Sequence, residues 1–101
     1  MVRHILFWRF SDAVTDENRA AVLAQMSASV RNMVGKIDGL LSCEIGENQI
    51  GTDCDFVFYA TFTSFDALRA FQNHPLHLAH KQMAAPFVQG RLAADYCTDA
   101  E

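Results

Sequence analysis

The stretch Val2-Arg3-His4-Ile5-Leu6-Phe7-Trp8-Arg9-Phe10 decides the fold. It predicts a strand over residues 3–10, in which successive side chains point to opposite faces. One face would carry His4, Leu6, Trp8 and Phe10, and the other Ile5, Phe7 and Arg9. Both faces are largely apolar, so both must be covered. In a chain this small, we expect helices on one side and a second sheet on the other.

A long helix is predicted next. Thr15 is a suitable N-cap residue, and Asp16 and Glu17 carry charges that favour a first helical turn. Apolar residues then recur every three or four positions, which predicts one buried stripe along a helix of about twenty residues. The stripe consists of Leu23, Met26, Val30, Met33 and Ile37. Gly39 follows as a stop signal.

The rest of the chain alternates strand and helix signals. Strands are predicted at 40–46, at the strongly β-prone segment 54–63 and at 92–98, with a turn at Gly90 and an acidic tail. Ser64 is a candidate cap for a helix that ends at Asn73. Pro75 suits the first position of another helix, which Pro86 ends, and His74 before it is expected to cap or pack that start.

The predicted order β-α-β-β-α-α-β is that of an α+β, ferredoxin-like plait: helices cover one face of a four-stranded antiparallel sheet. The 101 residues support one domain, 1–101, without a linker or repeat. The other sheet face is left without cover, and half of the residues are apolar. We therefore expect a homodimer.

Charge and composition argue against other partners. The net charge is −4, and the eight Lys and Arg residues are scattered, so nucleic acid is not expected as a partner. No apolar run approaches the roughly 20 residues of a membrane span, and no signal-type segment opens the chain. Cys43, Cys54 and Cys97 form no CxxC pair, so neither a disulfide framework nor a zinc site is expected. These features predict a cytoplasmic protein.

Three of the four histidines lie in the segment 74–80, and the fourth is His4. A metal site is not expected there, because residues six apart on a helix lie roughly 240° around its axis, so His74 and His80 cannot both join His77 at one metal. No phosphate-binding loop or dinucleotide motif occurs either, so no cofactor is expected. His4 and His77 have a structural alternative, in which they are buried and hydrogen-bonded to each other.

Four segments together resemble the stress-responsive dimeric α/β-barrel (Dabb) family. They are the opening stretch 2–10, Gly39-Leu40-Leu41-Ser42-Cys43-Glu44-Ile45-Gly46-Glu47, Tyr59-Ala60-Thr61-Phe62 and Phe71-Gln72-Asn73-His74-Pro75-Leu76-His77. The resemblance implies that two sheets pack face to face across a two-fold axis. It also implies little about activity, since most members have no assigned reaction.

One characterised member, a plant polyketide cyclase, has histidines that match His4 and His77. Phe71 stands at the position of its catalytic tyrosine and cannot supply that hydroxyl, and Phe56 stands at the position of a further pocket histidine. The chemistry left to this chain is proton abstraction beside a carbonyl group, with His77 as general base and His4 as the orienting group.

Two classes of function follow. The first is a cofactor-free enzyme of the cyclase or lyase type, with an apolar pocket for an apolar or aromatic carbonyl substrate. That pocket would be lined by Leu6, Trp8, Phe10, Phe56, Phe71 and Phe87. The second is a non-catalytic, stress-associated assembly or ligand-binding protein, in which both histidines would be sealed. A cofactor-free monooxygenase is a further alternative, by analogy of fold alone.

Overall fold

The computed structural model describes residues 1–98, and the acidic tail lies outside them. Its elements follow the predicted order. The strands are β1 Val2–Phe10, β2 Leu40–Glu47, β3 Phe56–Phe62 and β4 Val88–Cys97; the helices are α1 Arg19–Met33, α2 Phe65–Gln72 and α3 Pro75–Ala84, with a short 3₁₀ turn at Ala85–Phe87. None of the helices in this part of the chain is both long and apolar enough to span a bilayer.

The four strands form one antiparallel sheet in the order β2-β3-β1-β4. The opening strand is therefore central. His4 lies opposite Ala60 of β3 on one side and Asp95 of β4 on the other. The N-terminal strand β1 lies inside the sheet and pairs with the C-terminal strand β4 at its edge. This arrangement confirms the ferredoxin-like plait.

The helices cover one face of this sheet. The core beneath them includes Val2 and Leu6 from β1 and Phe62 from β3, all under 8% exposed. The opposite face carries the alternate residues of the same strands and has no cover within residues 1–98. Leu92 and Tyr96 on the edge strand are 66% and 49% exposed. A large apolar surface of this kind indicates an interaction surface.

The start of α1 differs from the prediction. The regular helix begins at Arg19, after turns at residues 16–18, so it has 15 residues instead of about twenty. The Thr15 carbonyl nevertheless accepts a hydrogen bond from the Arg19 amide at 3.0 Å. Thr15 and Asn18 bond reciprocally: the Asn18 amide donates to the Thr15 hydroxyl, and the Thr15 amide donates to the Asn18 side chain. Val22 is the first buried residue of the stripe, whereas Leu23, which was predicted there, is only partly buried.

The starts of α2 and α3 agree with the prediction. Ser64 caps α2, its hydroxyl accepting a hydrogen bond from the Ala67 amide at 3.1 Å. His74 caps α3 through its ring Nδ1, which accepts from the Leu76 amide at 3.1 Å, and Pro75 occupies the first helical position. The Ser64 cap fixes the start of α2 at Phe65, and the His74 cap fixes the start of α3 at Pro75.

The last strand begins earlier than predicted. The predicted turn at Gly90 is wrong, because β4 starts at Val88 and continues through Gly90. Gly90 adopts φ +65° where the pairing register with β1 shifts between Phe7 and Arg9. A glycine with positive φ lets the strand bulge without leaving the sheet. Conversely, β3 starts at Phe56, which leaves Cys54 in the preceding loop.

Candidate functional site

A cavity of about 510 Å³ lies between the sheet and α3. Its floor is apolar and comes from the central strands, whereas α3 and β4 provide a polar wall. The lining residues are His4, Leu6, Trp8, Met26, Ile45, Phe56, Phe58, Gln72, Asn73, His77, His80, Lys81, Ala84, Ala85, Val88 and Arg91. A volume of this size suits a small organic molecule.

Two periodicities place these side chains. Alternation along β1 points His4, Leu6 and Trp8 toward the helices. Along α3, positions 77, 80, 81 and 84 share one helical face and all line the cavity.

His4 is paired with Asp95, its neighbour across the β1–β4 register. The ring Nδ1–H donates to the Asp95 carboxylate, which is partly exposed, while the imidazole itself is 3% exposed. Every fully buried side-chain nitrogen and oxygen within residues 1–98 has a hydrogen-bond partner, whereas Nε2 of His4 has none there. Nε2 is therefore not fully enclosed, and we infer that it faces the cavity that the ring lines.

His77 is held differently. Its Nδ1–H donates to the Gln72 carbonyl at 3.3 Å, and its ring lies 4.1 Å from that of Phe71, centroid to centroid. Burial lowers the pKa of His77 to about 4, which the Gln72 carbonyl partly opposes. The charges of His80, Lys81 and His4 lower it further. The ring is thus neutral at pH 7, with Nε2 unprotonated.

His80, a third cavity histidine, was not among the predicted site residues. It is 9% exposed, and its Nδ1 bonds to the Ser29 hydroxyl of α1 at 2.9 Å. Burial lowers its pKa. The spacing of His77, His80 and Lys81 on one helical face was the signal that could have identified it. Arg91 was also missed, since the predicted turn at Gly90 hid its place on β4.

The predicted pocket residues divide into two groups. Leu6, Trp8 and Phe56 line the cavity together with both predicted histidines. Phe10, Phe71 and Phe87 lie outside the lining: Phe10 stacks on Phe56 at 5.2 Å, Phe71 is fully buried beneath the His77 ring, and Phe87 packs in the core cluster near α1. The bond between His4 and His77 that the structural alternative allowed is not formed within residues 1–98, where Nδ1 of His4 bonds to Asp95 and Nδ1 of His77 to the Gln72 carbonyl.

Three histidines around one cavity raise the question of a metal. Within residues 1–98, no group of three or more His, Cys, Asp and Glu side chains is arranged to hold a metal ion. The rings are instead spread over β1 and two turns of α3, and each has its own protein partner at Nδ1. The arrangement can hold, accept and release protons.

Comparison with known proteins gives a family and a fold. The family model described as "Stress responsive A/B Barrel Domain" (Dabb) matches residues 2–98. No match was found among curated proteins.

Similar solved structures agree with this match. One is a dimeric protein of unknown function and ferredoxin-like fold from Bacteroides fragilis, with 25% identity, TM-score 0.84 and coverage of 94% of this chain and 93% of that chain. Another is a dimeric ferredoxin-like protein of unknown function from Thermobifida fusca, with 26% identity, TM-score 0.80 and coverage of 96% and 90%. A hydroxynitrile lyase from Passiflora edulis is 18% identical, with TM-score 0.73 and coverage of 99% and 94%.

Proposed function

The chain belongs to the stress responsive A/B barrel domain (Dabb) family, and from its cavity we propose that it is a cofactor-independent acid–base enzyme acting on an apolar carbonyl compound. One observation carries the proposal: His4 and His77 line the same cavity. In the structural alternative both rings would be sealed, with their nitrogen atoms bonded within the protein. Here each ring uses Nδ1 for a protein partner, and within residues 1–98 neither Nε2 has one.

The contacts favour His4 as the proton acceptor, which reverses the roles predicted from the sequence. A carboxylate that accepts from Nδ1–H fixes the tautomer and stabilises the imidazolium formed when Nε2 takes a proton. Asp95 supplies that carboxylate to His4. His77 has only a backbone carbonyl at Nδ1, and burial holds its pKa at about 4. His77 therefore lacks a carboxylate that would stabilise its imidazolium.

The proposed step is a proton transfer. A proton leaves the carbon next to the substrate carbonyl and binds to Nε2 of His4, and the electron pair of the broken C–H bond forms an enolate. The enolate and the imidazolium are an ion pair, and their attraction is poorly screened beside the apolar floor of Leu6, Trp8 and Phe56. Neutral His77 accepts a hydrogen bond from a substrate hydroxyl and so orients it.

The test needs no knowledge of the final product. Aryl and alkyl ketones are incubated with the protein in D₂O, and exchange of the proton next to the carbonyl is followed by NMR. We expect His4→Gln to reduce exchange by at least about 100-fold and Asp95→Asn by about tenfold or more. His77→Asn, which keeps a donor toward Gln72, should have the smaller effect. Wild-type exchange in His4→Gln would refute the role of His4.

A control variant separates chemistry from folding. His74→Asn retains a capping side chain at the start of α3 but lies outside the cavity lining, so exchange should be unchanged. If ligands bind but no ketone exchanges above the buffer rate, the non-catalytic ligand-binding function is favoured instead. The cofactor-free monooxygenase has support only from the fold. The hydroxynitrile lyase likeness, at 18% identity, likewise shows the fold alone.

We also propose that two copies associate through the uncovered sheet face to form a dimeric α/β barrel. The exposed Leu92 and Tyr96 support this, and the similar proteins from Bacteroides fragilis and Thermobifida fusca are described as dimeric. Replacing Leu92 with Glu places a charge on that face. Light scattering should then detect monomers, whereas an unchanged dimer would place the interface elsewhere.

A cytoplasmic location is the third part of the proposal. Cys43, Cys54 and Cys97 are all free thiols. Reduced cysteines are typical of the cytosol. Fractionation of cells expressing the protein at its natural level tests this assignment.

A further inference from the structure

The charged side chains around the cavity have one sign only. Among its lining residues within 1–98 are Lys81 and Arg91, and no Asp or Glu. The chain as a whole has twelve acidic residues against eight basic ones and a net charge of −4. The cavity is therefore a local positive site on a protein whose overall charge repels anions.

Neither cation is neutralised by a carboxylate of the described residues 1–98. No ion pair joins Lys81 or Arg91 to a carboxylate within residues 1–98, whereas Arg19 and Arg69 on the helices are paired with Asp16 and Asp66. The carboxylate of Asp95 lies near the same wall but is engaged by His4. Both cavity cations are thus available for a ligand.

Their positions relate them to the proposed proton-transfer groups. Lys81 follows His77 by one helical turn, which is about 6 Å along α3. The charge of Lys81 is among those that lower the pKa of His77, so the ammonium group lies close enough to interact electrostatically with that ring. Arg91 shares its face of β4 with Ala93 and Asp95, because residues two apart on a strand point the same way.

We propose that the cavity takes an amphipathic carboxylate: a molecule whose apolar, carbonyl-bearing body lies on the aromatic floor and whose carboxylate binds Lys81 and Arg91. This inference rests on the proposed function for the position of the carbonyl group but not for the binding of the carboxylate. Charge-assisted hydrogen bonds to two cations then select the acid over neutral analogues of the same shape.

The experiment uses one matched pair of ligands, 4-benzoylbutyrate and its primary amide. Binding of each to the whole protein is measured by calorimetry at pH 7.5. We expect the carboxylate to bind at least about tenfold more tightly than the amide. Only the carboxylate should weaken as NaCl is raised.

Three variants assign the preference to the cavity cations. Lys81→Met and Arg91→Gln should each reduce the preference, and the double variant should bring it to within about threefold of unity. Lys36→Met removes an exposed cation outside the lining, whose ammonium group donates to the Asn32 side chain, and should keep the full preference. Circular dichroism of each variant verifies the fold. Equal affinity of the two ligands for wild type, no binding of either, or a preference retained in the double variant would overturn the inference.

The same ligands separate this inference from the proposed function. 4-Benzoylbutyrate carries exchangeable protons beside its ketone, so exchange in D₂O is measured on the bound ligand. A carboxylate preference without exchange supports the binding inference and contradicts the enzyme proposal. If the amide exchanges its protons as fast as the acid and binds as tightly, the enzyme proposal is supported and the carboxylate inference is contradicted.

Discussion

Acidification should destabilise the wild-type protein more than a His77→Asn variant. Burial lowers the pKa of His77 from 6.5 to about 4 in the folded state. Between these values the unfolded chain binds the proton and the folded chain does not, so protons favour unfolding and stability rises with pH through this window. Above about pH 7 the ring is neutral in both states, and its contribution is constant.

The size of the effect follows from the same values. One pKa unit corresponds to about 1.4 kcal/mol, so a fall from 6.5 to about 4 gives roughly 3 kcal/mol. We reduce this to about 2 kcal/mol because the side chain is partly exposed to solvent. The difference in unfolding free energy between wild type and variant should therefore shift by about 2 kcal/mol in favour of the variant from pH 7.5 to pH 4.

Urea unfolding followed by Trp8 fluorescence measures this difference at fixed protein concentration, because subunit association also affects stability. His80 is present in both proteins, so its own lowered pKa cancels. Between pH 7 and 8 the difference should stay constant, which serves as the internal control. Stability curves that run parallel within about 0.5 kcal/mol down to pH 4 would refute the argument that burial keeps His77 neutral.

Three further predictions concern the cap of α2, a pair of glycines and a pair of cysteines. Ser64→Ala removes the cap of α2 and should lower the unfolding free energy by about 1 kcal/mol in urea. Gly39→Ala should cost about 3 kcal/mol, since φ is +82° and the added Cβ would lie 2.5 Å from a side-chain carbon of α2. Gly35→Ala, with φ +85° and open space, should cost only about 1 kcal/mol; equal losses would contradict the clash. Burial raises the pKa of the Cys43 thiol to about 12, so a disulfide reagent at pH 8 should modify the exposed Cys97 first; early labelling of Cys43 would contradict this.

Local signals predicted the elements well where a side chain bonds to the nearby backbone. Ser64 and His74 do so, and the helices they cap start where expected. At α1 the reciprocal bonds between Thr15 and Asn18 form where a cap was predicted, but a turn at residues 16–18 separates them from the regular helix. A favourable N-cap residue does not by itself distinguish a helix start from a preceding turn.

Pairing between distant segments limited the prediction of the site. His4 and His77 were identified as candidates, and both line the cavity. The pairing of His4 with Asp95 depends on the β1–β4 register, and that register shifts at a bulge beside Gly90. No local sequence pattern indicates this bulge. Phe71 was expected to line the pocket, but it lies in the core and packs beneath the His77 ring. Helical periodicity shows that a side chain points inward, but not whether it reaches the cavity or stays beneath another side chain.

The pairing of His4 with Asp95 joins residues 91 positions apart, and so ties the order of folding to the chemistry. Contacts between such distant segments carry the largest loop-closure cost and tend to form late. Partly folded chains in which β1 and β3 have paired, but the edge strand has not docked, would hold the imidazole without its carboxylate and the cavity without Arg91. The proposed proton-transfer activity should therefore appear during refolding only with the slowest structural phase, when the two ends of the chain have met.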